Sequence, residues 1–112
     1  MYIYNAKLTR VVDGDTIDAM IDLGFNTHVK RRIRLAGIDA WESRTRNLVE
    51  KQKGLKAKHR LEQILSSNDN RFVLTSHGVG SFGRCLGTIY INDVNINDQL
   101  ITEGHAQVYI KK

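Results

Sequence analysis

Residues 11–43 read VVDGDTIDAMIDLGFNTHVKRRIRLAGIDAWES and contain two polar motifs separated by strand-like segments. The Asp13-Gly14 pair is a tight-turn signal, because glycine is free to adopt a positive φ there. Residues 17–23 and 28–38 alternate apolar and polar side chains, which is typical of half-buried strands. With a first strand over residues 2–12, the pattern predicts a three-stranded meander that brings the two polar motifs together.

Downstream of the meander, the pattern predicts a helix, two strands and a second short helix. Apolar residues 57, 61, 64 and 65 form one stripe at helical spacing, so a helix ends near Ser67 and begins at Leu48 or at Gly54. In the second case residues 44–53 form a basic loop. The remaining elements are expected as strands over 71–76 and 84–91, a helix over 95–103 ended by Gly104, and an extended tail over 106–110.

This order of elements indicates a mainly β protein with helices, of the α+β class. Five short strands with the main helix between the third and the fourth predict a five-stranded Greek-key barrel of the OB-fold type. An open α+β sheet built from the same elements is the alternative.

The composition predicts one soluble domain spanning residues 1–112. Of its 112 residues, 41% are hydrophobic and 26% charged, and no apolar run approaches the roughly 18 residues of a membrane span. The N-terminus lacks the features of a signal peptide, so we expect a monomer in the cytoplasm, with a secreted mature form as the alternative. Cys85 is the single cysteine and the four histidines have no ligand spacing, so no disulfide or zinc site is expected.

Positive charge is concentrated in the middle of the chain. The net charge is +5, but residues 30–60 carry eleven Lys and Arg against three Asp and Glu. Such a segment attracts polyanions, of which nucleic acid is the commonest, although the helical part alone is equally consistent with a solvated helix face.

The two polar motifs of residues 11–43 supply several acids. Asp13 and Asp15 flank one glycine and repel each other unless a cation or an arginine is near. Asp39 and Glu42 follow the third strand, and Arg34 lies just before them. Each acid taken singly could be a turn former or a helix cap. Together they favour a metal-assisted site for phosphate esters.

The combined pattern resembles the staphylococcal nuclease (thermonuclease) family. The shared motifs are DGDT at residues 13–16, RxxxxDxxE at residues 34–42 and the Gly83-Arg84 pair before a strand. The resemblance extends over residues 11–108. It implies an OB-fold enzyme that cuts DNA and RNA in the presence of Ca²⁺, leaving 3′-phosphate and 5′-hydroxyl ends.

The resemblance also implies a role for each motif residue. Asp15, Asp39 and the backbone carbonyl of Ala40 would be the protein ligands of Ca²⁺, with Asp13 supporting them. Glu42 would orient and deprotonate the attacking water. The scissile phosphate would be held by Arg34 and Arg84. Phe82 and Tyr109 are candidates for substrate contacts, because an aromatic ring beside the site can stack on a base.

The sequence departs from the family at four places. Trp41 stands where the family has proline, and Phe82 stands where it has tyrosine. Tyr109 is out of register with the family's substrate-side tyrosine, whose position Ile110 occupies. The chain stops at Lys112, so the family's long C-terminal helix is expected to be missing.

Two other functions are compatible with the fold. The first is an OB-fold module that binds nucleic acid or protein without catalysis, which would not need the acid set. The second is a plain basic RNA-binding protein, which explains no acid cluster at all. The retained acids and arginines favour the nuclease, with single-stranded nucleic acid as the preferred substrate.

Overall fold

The computed structural model describes residues 2–79 and 84–109. Two α-helices and eight β-strands occur in these ranges. The strands are β1 (Tyr2–Asp13), β2 (Thr16–Asp22), β3 (His28–Leu35), β4 (Ile38–Asp39), β5 (Arg71–Val79), β6 (Cys85–Ile91), β7 (Val94–Asn95) and β8 (Gln107–Val108). The helices are α1 (Leu48–Ser66) and α2 (Ile96–Thr102).

The five long strands form a closed barrel. They are hydrogen-bonded in the order β3-β2-β1-β5-β6, and a parallel pairing of β3 with β6 closes the barrel. The first strand serves two neighbours: its residues 6–13 pair with β2 and its residues 2–7 pair with β5. The predicted five-stranded OB-fold barrel, with its main helix between the third and fourth long strands, is confirmed, and the open sheet is excluded.

One apolar core fills the barrel. Inward residues alternate along the strands, and Ile17, Ile33 and Ile89 are fully buried. From α1, Leu61 and Leu65 are buried in the same cluster, and Leu100 joins it from α2. Neither helix of the described chain is long and apolar enough to cross a membrane.

The third strand ends earlier than the alternation predicts. It stops at Leu35 instead of Ile38, because Gly37 has a φ of +76° and turns the chain. After this turn, Ile38 and Asp39 form the separate strand β4, which pairs with β8. The turn therefore directs Asp39 and the loop after it away from the barrel strand.

The first helix begins at Leu48, not at Gly54, so the prediction of a basic loop over residues 44–53 is wrong for residues 48–53. The side chain of Asn47 caps the helix by accepting hydrogen bonds from the N–H groups of Val49 and Glu50. This cap was missed in the sequence because Gly54 was interpreted as a start signal. Gly54 instead lies buried inside the helix.

Candidate functional site

Arg34, near the end of β3, lies between two carboxylates. Its Nη1 is 3.4 Å from Asp15 Oδ2, and its Nη2 is 3.5 Å from Asp39 Oδ1. Nη1 also donates to the carbonyl oxygen of Leu35 at 3.1 Å. Three of the residues that the sequence singled out, Asp15, Arg34 and Asp39, are therefore in mutual contact through one guanidinium group.

Asp15 is buried, whereas Asp39 is open to solvent. The side chain of Asp15 is 10% exposed and that of Asp39 is 60% exposed. Asp15 Oδ1 accepts a hydrogen bond from Thr16 Oγ1 (2.9 Å), and Asp15 Oδ2 accepts one from the N–H of Ala40 (2.8 Å). The Asp15 carboxylate thus joins the β1–β2 turn to the segment after β4.

The loop that carries Glu42 is held on both sides of this residue. Before it, Ala40 is bound to Asp15. After it, Ser43 donates to Asp13 Oδ1 from both its Oγ (2.7 Å) and its backbone N–H (3.2 Å). The Glu42 side chain is exposed, and its carboxylate forms no hydrogen bond or ion pair within residues 2–79 and 84–109.

A glycine of α1 packs directly against this loop. A Cβ atom at Gly54 would lie 2.5 Å from the carbonyl carbon and oxygen of Glu42 and 2.7 Å from the nitrogen of Ser43. Only a residue without a side chain permits this approach of helix and loop. Gly54 therefore sets how closely the backbone of Glu42 approaches α1.

Gly14 serves a different purpose from the one predicted. It is absent from the glycines with positive φ, so the expectation of a left-handed turn at this position is wrong. A Cβ atom there would lie 2.6 Å from the Cβ of Ala57 and 3.0 Å from the Cβ of Ala40. Close packing of the β1–β2 turn against α1 and the Ala40 segment is the physical reason for glycine.

The remaining candidates lie around Arg34. The ring of Tyr109 is 5.6 Å from the guanidinium carbon of Arg34, a cation–π distance. Arg84 immediately precedes β6, in which Leu86 pairs with Arg34, so the parallel β3–β6 pairing brings the backbone of Arg84 beside that of β3. Phe82 lies outside the described residues.

The acidic residues fit calcium in ligand type but form a sparse site. Carboxylates and carbonyl oxygens are the hard ligands that Ca²⁺ prefers. The Asp15 carboxylate has about four lone-pair positions, so its contacts with Thr16, Ala40 and Arg34 leave room for a cation. No group of three or more His, Cys, Asp or Glu side chains suited to a metal occurs among the described residues, so Glu42 does not join Asp15 and Asp39 in one ligand cluster.

Some of the positive charge of residues 30–60 is neutralised in the fold. A bidentate hydrogen bond from Arg32 lowers the pKa of Asp18. A second bidentate pair joins Arg60 to Glu103 and lowers the pKa of Glu103 to about 2. The other cations form no ion pair within the described chain: Lys30, Arg31, Arg44, Arg46, Lys51, Lys53, Lys56 and Lys58. A net positive surface therefore remains available to a polyanion.

Sequence reasoning missed one buried polar residue that positions the site. Asn97, in α2, accepts a hydrogen bond from the N–H of Ile89 and donates to the carbonyl oxygens of Ala36 and Gly87. It thereby ties α2 and β6 to the turn between Arg34 and Asp39. A buried asparagine in an otherwise apolar helix face was the only sequence signal, and it names no partner.

The comparison with protein families agrees with this geometry. Residues 32–112 match the family described as staphylococcal nuclease homologue, and this range contains Arg34, Asp39, Glu42 and Arg84. The chain belongs to the staphylococcal nuclease homologue family. Members of this family are generally nucleases, and the barrel with its two helices is the fold expected for it.

A curated relative of this staphylococcal nuclease homologue comes from Methanocaldococcus jannaschii. It is an uncharacterized protein, MJ1439, with 31% identity over 129 aligned residues. The alignment covers 96% of the present chain and 60% of the relative, so the chain spans less than two thirds of that protein's length.

Proposed function

We propose that this protein is a calcium-dependent nuclease that hydrolyses phosphodiester bonds of DNA or RNA with little sequence preference. The observation that carries the proposal is the guanidinium of Arg34 between the carboxylates of Asp15 and Asp39 at the end of a barrel strand. A protein that only binds nucleic acid needs the positive charge but has no use for two acids at the same place.

In the proposed reaction, Arg34 and Arg84 bind the scissile phosphate. In-line attack adds negative charge to the phosphate oxygens, so fixed guanidinium groups stabilise the transition state more than the ground state. Arginine suits this role because it stays protonated and donates two parallel hydrogen bonds. Both carboxylate contacts of Arg34 are longer than the 2.7–2.9 Å typical of charge-assisted bonds, which leaves its donors able to turn to a phosphate.

Glu42 is the proposed general base. Its carboxylate accepts a proton from a water molecule whose oxygen forms a bond to phosphorus, while the bond from phosphorus to the 5′ oxygen breaks. The 5′ oxygen leaves and takes a proton from solvent, which gives 3′-phosphate and 5′-hydroxyl products. The role is supported by the exposed side chain of Glu42 on a backbone that is anchored at Ala40 and Ser43.

Calcium would be held by Asp15, Asp39 and the carbonyl oxygen of Ala40, and it would add positive charge beside the phosphate. Since the two carboxylates are the ligands of highest charge, the affinity for the ion without substrate is expected to be low. We further propose that the protein acts as a monomer on single-stranded or frayed substrate, whose bases are accessible to a shallow surface.

A binding module without catalysis is the second candidate. It is favoured by the fact that both oxygens of Asp15 already accept hydrogen bonds from the protein, so this residue also serves the packing of the site. Such a module would bind nucleic acid equally well with and without calcium and would not cut it.

Replacement of the proposed base tests the catalytic proposal. Glu42→Gln should lower the turnover of a single-stranded oligonucleotide about 100-fold or more, because general base catalysis contributes about 10²–10⁴-fold. Substrate affinity, measured by fluorescence anisotropy, should change little. Glu62→Gln is the matched control, since it removes the same charge from an exposed position of α1. Equal turnover of Glu42→Gln and wild type would exclude Glu42 as the base.

A further inference from the structure

A second groove lies beside the loop that carries Glu42. It has a volume of about 310 Å³ and runs between α1 and the segment before β8. Its functional side chains are those of Trp41, Lys53, Lys56, His105 and Gln107. The Nζ of Lys53 lies 4.9 Å from the ring centre of Trp41.

We propose that this groove binds one nucleotide of a single-stranded nucleic acid next to the scissile bond. The base stacks on Trp41, and Lys53 and Lys56 bind its phosphate. This inference rests on the proposed nuclease function and adds a second contact with the same substrate.

The position of the groove favours this substrate. Trp41 directly precedes Glu42, and β8 residue Gln107 pairs with β4 residue Asp39. The groove therefore shares a wall with the segment that carries the proposed catalytic residues. A strand whose phosphate is bound at Arg34 has to leave the site in two directions, and the groove lies along one of them.

The charge of the groove suits a phosphodiester. Lys53 and Lys56 are exposed and form no ion pair within the described residues. No carboxylate lines the groove in that part of the chain. The nearby Glu103 is held by Arg60 and Gln99, so its charge is already compensated on the other side of His105. A backbone phosphate would supply the anion that the two lysines lack.

The ring of Trp41 adds recognition of a base. Trp41 is partly exposed, and the ammonium group over it is a cation–π contact at an accessible site, where such contacts are weak. Stacking of a nucleobase on an aromatic ring is the stronger interaction and tolerates any base. A bound strand can therefore draw Lys53 to its phosphate and place a base on the ring without reading sequence.

Trp41 is the one tryptophan of the chain, so intrinsic fluorescence reports on this groove alone. The full chain with Glu42→Gln, which does not cut, is titrated with a single-stranded oligothymidylate, and binding is followed in parallel by anisotropy of a labelled copy. Tryptophan emission should change along the same binding curve. An abasic oligonucleotide of equal length should bind more weakly and leave the emission nearly unchanged. Saturation by anisotropy with no change in emission for either strand would overturn the proposal.

Lysine variants test the phosphate contact. The double variant Lys53→Ala, Lys56→Ala should reduce the slope of log affinity against log salt by about 1–2, as expected for one or two lost phosphate contacts. The control is Lys58→Ala, which removes a charge from the same helix but does not line the groove. Equal slopes for the double variant, the control and the parent would overturn the role of the two lysines.

The outcome separates this inference from the proposed function. If wild type does not cut DNA in calcium but Trp41 responds to the oligothymidylate, the groove proposal holds and the catalytic proposal fails. If wild type cuts DNA and Trp41 stays silent at saturation, the groove proposal fails and the nuclease stands.

Discussion

Glu42 owes its position to contacts made by its neighbours. Asp13 and Asp15 accept hydrogen bonds from Ser43 and Ala40, so the DGDT turn holds the loop on both sides of Glu42. The two aspartates thereby tie the first polar motif of the sequence to the second. This gives Asp13 a clear physical task without any direct contact with substrate.

Gly54→Ala is expected to destabilise the protein, although alanine is the better helix former. In an open helix position the exchange would stabilise by up to about 1 kcal/mol. Here the new Cβ would lie 2.5 Å from the Glu42 carbonyl, and the loop must move. We expect a loss of about 1–3 kcal/mol in the free energy of unfolding, measured by urea denaturation, together with a lower turnover.

Gln52→Ala is the control for this exchange, because Gln52 is exposed on the same helix. Its effect on the free energy of unfolding should stay within about 0.5 kcal/mol. A stabilised Gly54→Ala variant with normal turnover would contradict the close contact between α1 and the loop.

At the scale of elements, the two helices are joined by one exposed ion pair. Arg60 of α1 donates two hydrogen bonds to Glu103, the residue that follows α2, with Nε at 2.5 Å and Nη2 at 2.9 Å. Gln99 of α2 donates to the same carboxylate. The pair therefore links the helix that packs on the catalytic loop with the helix that carries Asn97.

The pH dependence of stability should reveal this pair. The hydrogen bond from Arg60 lowers the pKa of Glu103 from 4.5 to about 2, so the folded state binds this proton less readily than the unfolded state. The contribution is complete above about pH 5.5 and is lost as the pH falls from about 4.5 towards 2. Because solvent screens an exposed pair, the expected contribution is only about 0.5–1 kcal/mol.

Glu103→Gln should therefore be less stable than wild type at pH 6, and the difference should shrink as the pH approaches 2.5. Urea denaturation at several pH values measures it, with Glu62→Gln as the control for a solvated glutamate of α1. A difference that does not change with pH would contradict the ionic origin of the link.

At the scale of the whole molecule, patterns of side chains predicted the fold better than they predicted the site. Alternation in residues 17–23 and 28–35 and the stripe of Leu61 and Leu65 report burial, so the barrel and its helix could be recognised. The parallel β3–β6 closure is a long-range pairing with no local signal, and it followed only from the order of elements.

The candidate site was predictable where residue types carry the chemistry and not where packing does. Asp15, Arg34 and Asp39 could be singled out because acids and arginine in that order are unusual for a scaffold. The roles of Ser43, Gly54 and Asn97 depend on which backbone atoms come near them in space. Such proximity is a product of the fold, so single-sequence reasoning had no means to assign it.

The central claim is that Asp15, Arg34, Asp39 and Glu42 form a calcium-dependent site for phosphodiester hydrolysis. Its most direct test is the digestion of a single-stranded DNA by the purified protein in millimolar calcium, with and without an excess of chelator. Calcium should support cleavage to 3′-phosphate and 5′-hydroxyl ends, and chelator should abolish it. Equal cleavage in both conditions, or binding of the DNA by the folded protein with no cleavage in calcium, would contradict the claim.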